Sequence, residues 1–239
     1  PTSCSALRAM GLEGVEQLKP FGLARFDFEG ESLLVSRTGF TGDLGYELWI
    51  EAQRAELLWD RLFAAGKPWI IRPFGMEALE LARIEAGFLQ AGVDFVPAEN
   101  TVRGGRTRSP FELGLDWLVD LDKPHFNGRR ALLRERERGS RYRFALLDVS
   151  GNKPAHNAFI LHGKEKVGTV TSAAWCPTAK TNVAFAQLHM PHGVVGQELL
   201  AEIFYQRELQ WTKELAPCRV IDTPVFNPPR RRATPPANF

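Results

Sequence analysis

The segment best suited to chemistry is a glycine-rich turn that leads into an alternating strand. Residues 36–47 read SRTGFTGDLGYE, with glycines at positions 39, 42 and 45. Glycine adopts positive φ and lets the backbone approach a partner closely, so a planar or aromatic ligand could lie against this turn. An ordinary hairpin turn is the simpler interpretation, and composition alone favours it.

The cysteines and histidines show no pattern of a metal or nucleophile site. Cys4, Cys176 and Cys218 are far apart and lack CxxC spacing, which indicates neither a disulfide framework nor a zinc site. We expect no bound metal, and we interpret His189 and His192 as loop residues. Cys176 has no neighbouring His or Lys to activate it, so we expect a buried or half-buried thiol there.

Five segments occur in the order found in one known family. They are residues 36–48 (SRTGFTGDLGYEL), 82–87 (ARIEAG), 113–117 (LGLDW), 126–132 (FNGRRAL) and 168–172 (GTVTS). These segments resemble the S-R-T-G-Y-T-G-E-x-G-Y/F-E, R-L-E-A-G, G-L-G-W, F-x-G-R-x-A-L and G-x-V-T-S signatures of the glycine-cleavage T-protein family. That family contains the aminomethyltransferases and their demethylase relatives. The resemblance covers nearly the whole chain.

The resemblance implies both a fold and a function. The fold is α+β, with a folate-binding T-protein-like domain that is incomplete at its N-terminus, followed by a C-terminal antiparallel β-barrel. The implied function is that of a tetrahydrofolate-dependent one-carbon transferase, which moves an aminomethyl or methyl group. Tetrahydrofolate is therefore the expected cofactor, and a small-molecule one-carbon donor is the expected partner.

Glu47 is the residue that we expect to anchor the cofactor. It occupies the place of the family's signature glutamate. The pterin of tetrahydrofolate presents an amino group and a ring N–H side by side, and one carboxylate can accept hydrogen bonds from both. The alternative is an exposed strand carboxylate, which the alternation between Tyr46 and Leu48 also permits.

Arg83 is the candidate for the other end of folate, whose glutamyl carboxylates favour a planar guanidinium. The family's R-x-E-A-G arginine faces that tail. Taken alone, an arginine on an amphipathic helix is more often a surface residue or a partner for Glu80. Tyr46, Phe40 and Trp117 are candidates for aromatic walls, and each is also suited to a core position.

The catalytic residues are unknown from this sequence. In the family, a carboxylate near folate N10 and an accompanying asparagine come from the first half of the protein, so we expect them upstream of Pro1. Such a carboxylate aids proton transfer or stabilises developing positive charge. We therefore expect the chain as given to be inactive or incompletely folded by itself.

The identity of the one-carbon donor stays open. Glycine-cleavage members continue from the R-x-E-A-G helix into Tyr-Gly-x-Asp, whereas residues 89–94 read LQAGVD and put Ala91 where the tyrosine would stand. Residues 106–113 likewise replace the usual threonine-proline-acidic segment. These departures favour the folate-dependent S- or O-demethylases as an alternative. A lipoyl carrier protein is an expected partner only for a glycine-cleavage member.

Two other classes share the fold. One is a folate-binding accessory protein of the iron–sulfur assembly type, but its K-G-C-Y-x-G-Q motif is absent from the equivalent region. The other is a non-catalytic module of a flavin-linked sarcosine or dimethylglycine oxidase. A dinucleotide-binding G-x-G-x-x-G upstream of Pro1 would identify the latter.

Strands and helices must position the turn. Residues 33–35 form an apolar run and residues 46–51 alternate, so both are predicted to be strands. Residues 52–65 place their leucines on one helical face before the stop at Gly66. A second helix is predicted over residues 76–86.

The sequence pattern changes beyond residue 140 to short strand-like runs. Short strands separated by turn signals are typical of a small antiparallel barrel or sandwich, and they are predicted at residues 143–149, 166–171, 182–188, 198–205 and 218–221. We place the domain boundary there: residues 1–140 are the C-terminal portion of the folate-binding domain, and residues 141–239 are the β-barrel domain. The final segment, residues 226–239, is predicted to be an extended surface tail with a basic triplet.

Composition limits the remaining classes. Among 239 residues, 44% are apolar and 24% are charged, which are ordinary values for a globular protein. The net charge of +2 is too small to indicate a nucleic-acid partner. The chain shows neither a run of 18 apolar residues nor a signal-peptide pattern, so we expect no membrane partner and a cytoplasmic location. The charged run at residues 134–143 is interpreted as a solvated helix face.

Overall fold

The structure is a computed structural model that describes residues 2–102 and 105–236. Pro1, residues 103–104 and residues 237–239, the last of which end the predicted tail, lie outside the described residues. Two compact units are present. One contains the described residues up to Phe88 together with those from Phe226 onward, and the other is Leu89–Val225.

The first unit combines three α-helices with a three-stranded antiparallel sheet in the order β1-β2-β3. The elements are α1 (Ser3–Ala9), β1 (Leu23–Phe28), β2 (Glu31–Ser36), β3 (Glu47–Trp49), α2 (Ala55–Gly66) and α3 (Met76–Glu85). The two helices and two strands predicted in this region are present within a few residues of the expected bounds. β1 is an additional strand, and it pairs with β2 along its whole length.

Alternation along the three strands gives the sheet two different faces. Phe28, Leu33 and Val35 point inward and are buried against α1 and α2, where Cys4 and Leu58 also lie. Burying these apolar side chains is the main driving force for folding of this unit. On each strand, the residues that alternate with these inward positions project from the opposite face, and Glu47 of β3 is one of them.

The C-terminal segment is packed, so the prediction of an extended surface tail is wrong. The Arg37 guanidinium, which is 4% exposed, donates to the Ala233 carbonyl at 2.7 Å and to the Thr234 hydroxyl at 2.8 Å. It also donates to the Leu18 carbonyl at 2.8 Å. A buried guanidinium needs acceptors for its N–H groups, and the residues that follow the short 3-10 helix Pro229–Arg231 offer backbone carbonyls. Sequence alone shows only the prolines and arginines of the tail, which are usually solvated.

The second unit contains a closed barrel of six strands in the order β4-β7-β6-β5-β8-β9, in which all paired strands are antiparallel. Its strands are β4 (Tyr142–Val149), β5 (Phe159–His162), β6 (Glu165–Cys176), β7 (Thr181–His189), β8 (Glu198–Arg207) and β9 (Gln210–Ile221). The α+β class with a C-terminal antiparallel barrel is thereby confirmed. The five predicted barrel strands are present, and β5 is the strand that the sequence pattern did not reveal.

One helix, α4 (Arg129–Arg138), precedes the barrel, and its buried Glu135 accepts hydrogen bonds from Ser109 and Ser140. The interpretation of this region as a fully solvated helix face is therefore wrong at Glu135. A boundary near residue 140 lies between α4 and β4, and it remains our proposal for the division into domains. Among the described residues, no helix is both long and apolar enough to cross a membrane.

Candidate functional site

The Glu47 carboxylate is held in a defined orientation by two hydroxyl groups. Glu47 opens β3 directly opposite Ser36 on β2, and the chain bends at Arg37 just after β2. The Oε2 atom of Glu47 lies 2.5 Å from Thr38 Oγ1 and 3.2 Å from Ser36 Oγ. The two hydroxyls lie 2.7 Å from each other. Glu47 itself is exposed on the outer face of the sheet.

Counting protons shows what this arrangement leaves for a ligand. Each hydroxyl has one proton: Thr38 donates its proton to Glu47 Oε2, and Ser36 donates either to the same oxygen or to Thr38 Oγ1. Both lone pairs on Oε1 remain for outside donors in either case, and one lone pair on Oε2 also remains when Ser36 donates to Thr38. A carboxylate in this state can accept a bidentate pair of N–H groups. Sequence reasoning missed Ser36 and Thr38, although the S-x-T spacing before the turn was a signal for them.

Tyr46 faces away from this carboxylate. Its ring packs against the apolar core of the first unit, as expected for a residue adjacent to an outward-facing strand position. Burial, followed by the neighbouring Cys4 thiol, raises the pKa of Tyr46. The structure therefore places Tyr46 in the core, which was one of its two predicted roles.

Arg83 is fully buried and is paired within its own helix. Its Nε donates to Glu80 Oε2 at 3.0 Å, its Nη2 contacts Glu80 Oε1, and its Nη1 donates to the Phe88 carbonyl at 3.1 Å. Glu80 thus occupies the place that the sequence-based prediction gave to a glutamyl carboxylate of folate. A folate contact for Arg83 stays a prediction.

The other aromatic candidates, Phe40 and Trp117, lie in different units. Phe40 stacks on Phe88 with ring centroids 5.6 Å apart. Trp117 is 71% exposed and belongs to the second unit, on a single 3-10 turn (Asp116–Leu118). Its assignment as an aromatic wall also stays a prediction.

The glycine-rich turn makes its close approach to protein. Gly42 has a φ of +77°, and a Cβ at this position would lie 2.3 Å from the Cβ of Ala86. Ala86 follows α3 in the predicted R-x-E-A-G segment, so Gly42 is needed for packing of the turn on that helix end. Gly39 and Gly45 meet only ordinary contacts. At Gly42 the close approach is therefore to Ala86, and a planar ligand against this turn stays a prediction.

The glycine-rich turn is also bound by an ion pair with the C-terminal segment. Arg230 donates to both oxygens of Asp43, with Nε–Oδ1 at 2.7 Å and Nη2–Oδ2 at 2.6 Å. Arg231 lies with its guanidinium carbon 4.5 Å from the centre of the Phe88 ring. Two residues of the basic triplet therefore make contacts within the first unit, and one of them, Arg230, contacts the turn.

The side chains that commonly bind metals are not clustered among residues 2–102 and 105–236, and the cysteines there are buried. There, no group of three or more His, Cys, Asp and Glu side chains is arranged to hold a metal ion. Cys4, Cys176 and Cys218 are free and buried. Burial raises the pKa of the Cys218 thiol to about 12, which keeps it protonated and unreactive at neutral pH.

Comparisons with known proteins match this sequence to one family. The family model described as the GCVT N-terminal domain matches residues 1–123, and that of the glycine cleavage T-protein C-terminal barrel domain matches residues 143–227. An aminomethyltransferase from Thermotoga maritima is 35% identical over 187 residues, which are 78% of this chain and 48% of the relative. A trimethylamine-oxide aldolase from Ruegeria pomeroyi is 38% identical over 173 residues, which are 71% of this chain and 21% of the relative.

A solved structure agrees in fold. The glycine cleavage system aminomethyltransferase T from Bartonella henselae matches with a TM-score of 0.76 and 23% identity, over 93% of this chain and 56% of that one. The chain thus spans about half the length of the aminomethyltransferases that it matches. The two family models together cover most of the described residues, and the chain belongs to the glycine cleavage T-protein family.

Proposed function

We propose that this chain is the folate-binding segment and barrel of a tetrahydrofolate-dependent one-carbon transferase, with the aminomethyl group as the first candidate for transfer. Membership of the glycine cleavage T-protein family supports this proposal. The observation that carries it is the Glu47 carboxylate, oriented by Thr38 and Ser36 on an exposed sheet face. When bound, tetrahydrofolate would supply the nitrogen atoms that accept the one-carbon unit.

The chemistry of the pterin fits this carboxylate. The pterin edge carries an amino group and a ring N–H, which match the two oxygens of Glu47 with their remaining lone pairs. The Thr38 hydroxyl fixes the rotation of the carboxylate before the ligand arrives. Ordering the side chain in advance lowers the entropy cost of binding.

The cofactor assignment can be tested by titrating the protein with 5-methyltetrahydrofolate and following binding by calorimetry. Glu47→Gln keeps the size of the side chain but replaces one acceptor oxygen with a donor. We expect it to weaken binding about tenfold or more, because hydrogen bonds to a charged group contribute about 1.5–3 kcal/mol. The control is Glu13→Gln, which removes the same charge from an exposed site in the same unit. Equal affinities of wild type and Glu47→Gln would refute the proposal.

A second candidate concerns the donor. Ala91 replaces the tyrosine expected for glycine cleavage, and the trimethylamine-oxide aldolase relative is matched at an identity comparable to that of the aminomethyltransferase. The match covers 21% of that relative, so the corresponding segment there is part of a much longer chain. We propose as the alternative a demethylase, or a one-carbon-accepting module of a larger protein. The full protein that carries this chain would distinguish these by turnover of a methylated amine against an aminomethyl-lipoyl donor.

A cytoplasmic site of action is part of the same proposal. The three cysteines are free and buried, which fits a compartment that keeps thiols reduced. We expect the catalytic carboxylate to come from sequence upstream of Pro1. Turnover by the 239-residue chain alone would contradict that expectation.

A further inference from the structure

The outer face of the first-unit sheet carries apolar side chains beside Glu47. The register aligns Leu23, Ser36 and Glu47 in one row across the three strands, and Arg25, Leu34 and Trp49 in the next row on the same face. Trp49 is 58% exposed and Leu23 is 65% exposed. Large apolar side chains at this exposure beside an oriented carboxylate are characteristic of ligand sites, which combine apolar walls with a few placed polar groups.

Trp49 is the aromatic side chain of the sheet that shares the face of Glu47. Phe28 is buried, and Phe26 and Tyr46 pack against the core on the other side. Phe40, which lies in the turn, is already stacked on Phe88. Two of the three aromatic residues expected to form walls are thus engaged in packing within the first unit, whereas Trp49 presents its ring to the face on which Glu47 lies.

The spacing between the two side chains suits a planar ligand. Residues i and i+2 of a strand project from the same face and are separated by about 6.6 Å along the strand. Aromatic rings interact when their centroids are about 4.5–7 Å apart. A ring that donates hydrogen bonds to Glu47 therefore lies within reach of the Trp49 indole.

We propose that Trp49 forms the aromatic wall against which the pterin ring lies when its polar edge is bound by Glu47. This inference rests on the proposed function and extends it by naming the residue that selects a flat heterocycle. Glu47 satisfies the polar edge, and the indole covers part of the ring surface that would otherwise face water. Leu23, which lies in the same row beyond Ser36, limits the site with an aliphatic side chain.

The test uses two probes, tetrahydrofolate and a reduced pterin that lacks the aminobenzoyl-glutamate tail, with the full protein that carries this chain. We expect Trp49→Ala to weaken binding of both probes by about fivefold to tenfold, because stacking energy is lost for the ring that they share. Trp49→Phe should recover most of the affinity, whereas Trp49→Leu, which keeps apolar bulk without a π-face, should recover less.

Trp59→Ala is the matched control, because Trp59 is similarly exposed at 55% but lies on α2 and contacts Phe63. It should bind both probes as the wild type does. If Trp49→Ala binds both probes normally while Glu47→Gln does not, the wall assignment is wrong and the proposed function stands. If neither Glu47→Gln nor Trp49→Ala changes binding, both are wrong. An equal loss in Trp49→Phe and Trp49→Ala would also overturn an aromatic wall.

Discussion

The barrel and the first-unit sheet are stabilised in different ways. In the barrel every strand has two neighbours, and the interior is filled by small and branched aliphatic side chains. The first-unit sheet has three strands, one apolar face and one open face. It relies in addition on buried polar contacts, chief among them those of Arg37. A closed sheet has no free edge, and the interior of this barrel is filled by side chains, whereas the open sheet keeps a face on which Glu47 is accessible.

From this comparison we expect the stability of the barrel to depend mainly on the side-chain volume that fills its interior. Leu147 is completely buried in β4, so Leu147→Ala removes packing that its neighbours can replace only partly. We expect a loss of about 2–5 kcal/mol in the free energy of unfolding, measured by urea denaturation. Proteins with more than one compact unit often depart from two-state unfolding, so the barrel transition should be followed on its own.

The matched change is Leu209→Ala at a site that is 91% exposed, where we expect less than about 0.5 kcal/mol. Similar losses for the two variants would show that the barrel interior is not the source of its stability. A larger loss at position 209 would argue that the β8–β9 turn is covered in the native protein.

The second prediction concerns hydrogen bonding in the first unit. Arg37→Ala removes the donors that bind the carbonyls of Leu18 and Ala233 and the hydroxyl of Thr234. We expect the first unit to lose about 2–4 kcal/mol, which is within the range for breaking a buried charged contact. The C-terminal segment should also become sensitive to trypsin.

Arg25→Ala is the control for this change, because Arg25 is exposed and makes one hydrogen bond, to Ser32. It should cost about 0–1 kcal/mol and leave trypsin sensitivity at the C-terminal segment unchanged. If the C-terminal segment resists trypsin equally well in Arg37→Ala, then Arg37 is not what secures it.

The same contrast explains what the sequence could predict. Alternation predicts barrel strands such as β8, in which the inward residues Leu199, Ala201 and Ile203 recur with a period of two. β5 escaped prediction because Phe159–His162 is short and has two outward-facing residues of mixed character. A four-residue strand offers too few periods to distinguish it from a loop.

In the first unit, the long-range contacts could not be predicted from the sequence. Glu47 was identified from its motif, but its hydroxyl partner Thr38 is visible only once the register of β2 and β3 is known. The pairing of Arg37 with Thr234 spans 197 residues, and no local pattern encodes it. For Arg83, the sequence allowed either Glu80 or a ligand as the partner. The structure pairs Arg83 with Glu80, which lies three residues earlier on α3.

The third prediction tests the packing of the turn on α3. Gly42→Ala adds a methyl group that would meet Ala86 and also requires a non-glycine residue at positive φ. We expect a loss of about 1–3 kcal/mol in the stability of the first unit, measured by denaturant unfolding. Gly39→Ala, where the added Cβ would meet nothing closer than 3.7 Å, should cost less than about 1 kcal/mol. If both variants are equally stable, the turn moves freely relative to α3.

The smallest expected effect is a pH dependence at the Asp43–Arg230 pair. Burial acts to raise the pKa of Asp43, but the Arg230 guanidinium and the Leu44 amide outweigh it and hold that pKa below its ordinary value. A carboxyl with a lowered pKa in the folded state contributes stability above its unfolded pKa of about 3.9, and that contribution is lost as the pH falls through the folded value.

Asp43→Asn should therefore cost the first unit about 0.5–1 kcal/mol at pH 7, since the Arg230 side chain is 36% exposed and solvent weakens the pair. The difference from wild type should shrink as the pH falls below about 4 and disappear below the folded pKa. Asp27→Asn, at an exposed position on β1, serves as the control and should show no such change. Denaturant unfolding at several pH values measures both. The difference in stability between wild type and Asp43→Asn could instead persist unchanged at pH 2. The carboxylate charge would then not be what links the turn to the C-terminal segment. In that case the backbone contacts of Arg37 would be sufficient for the link.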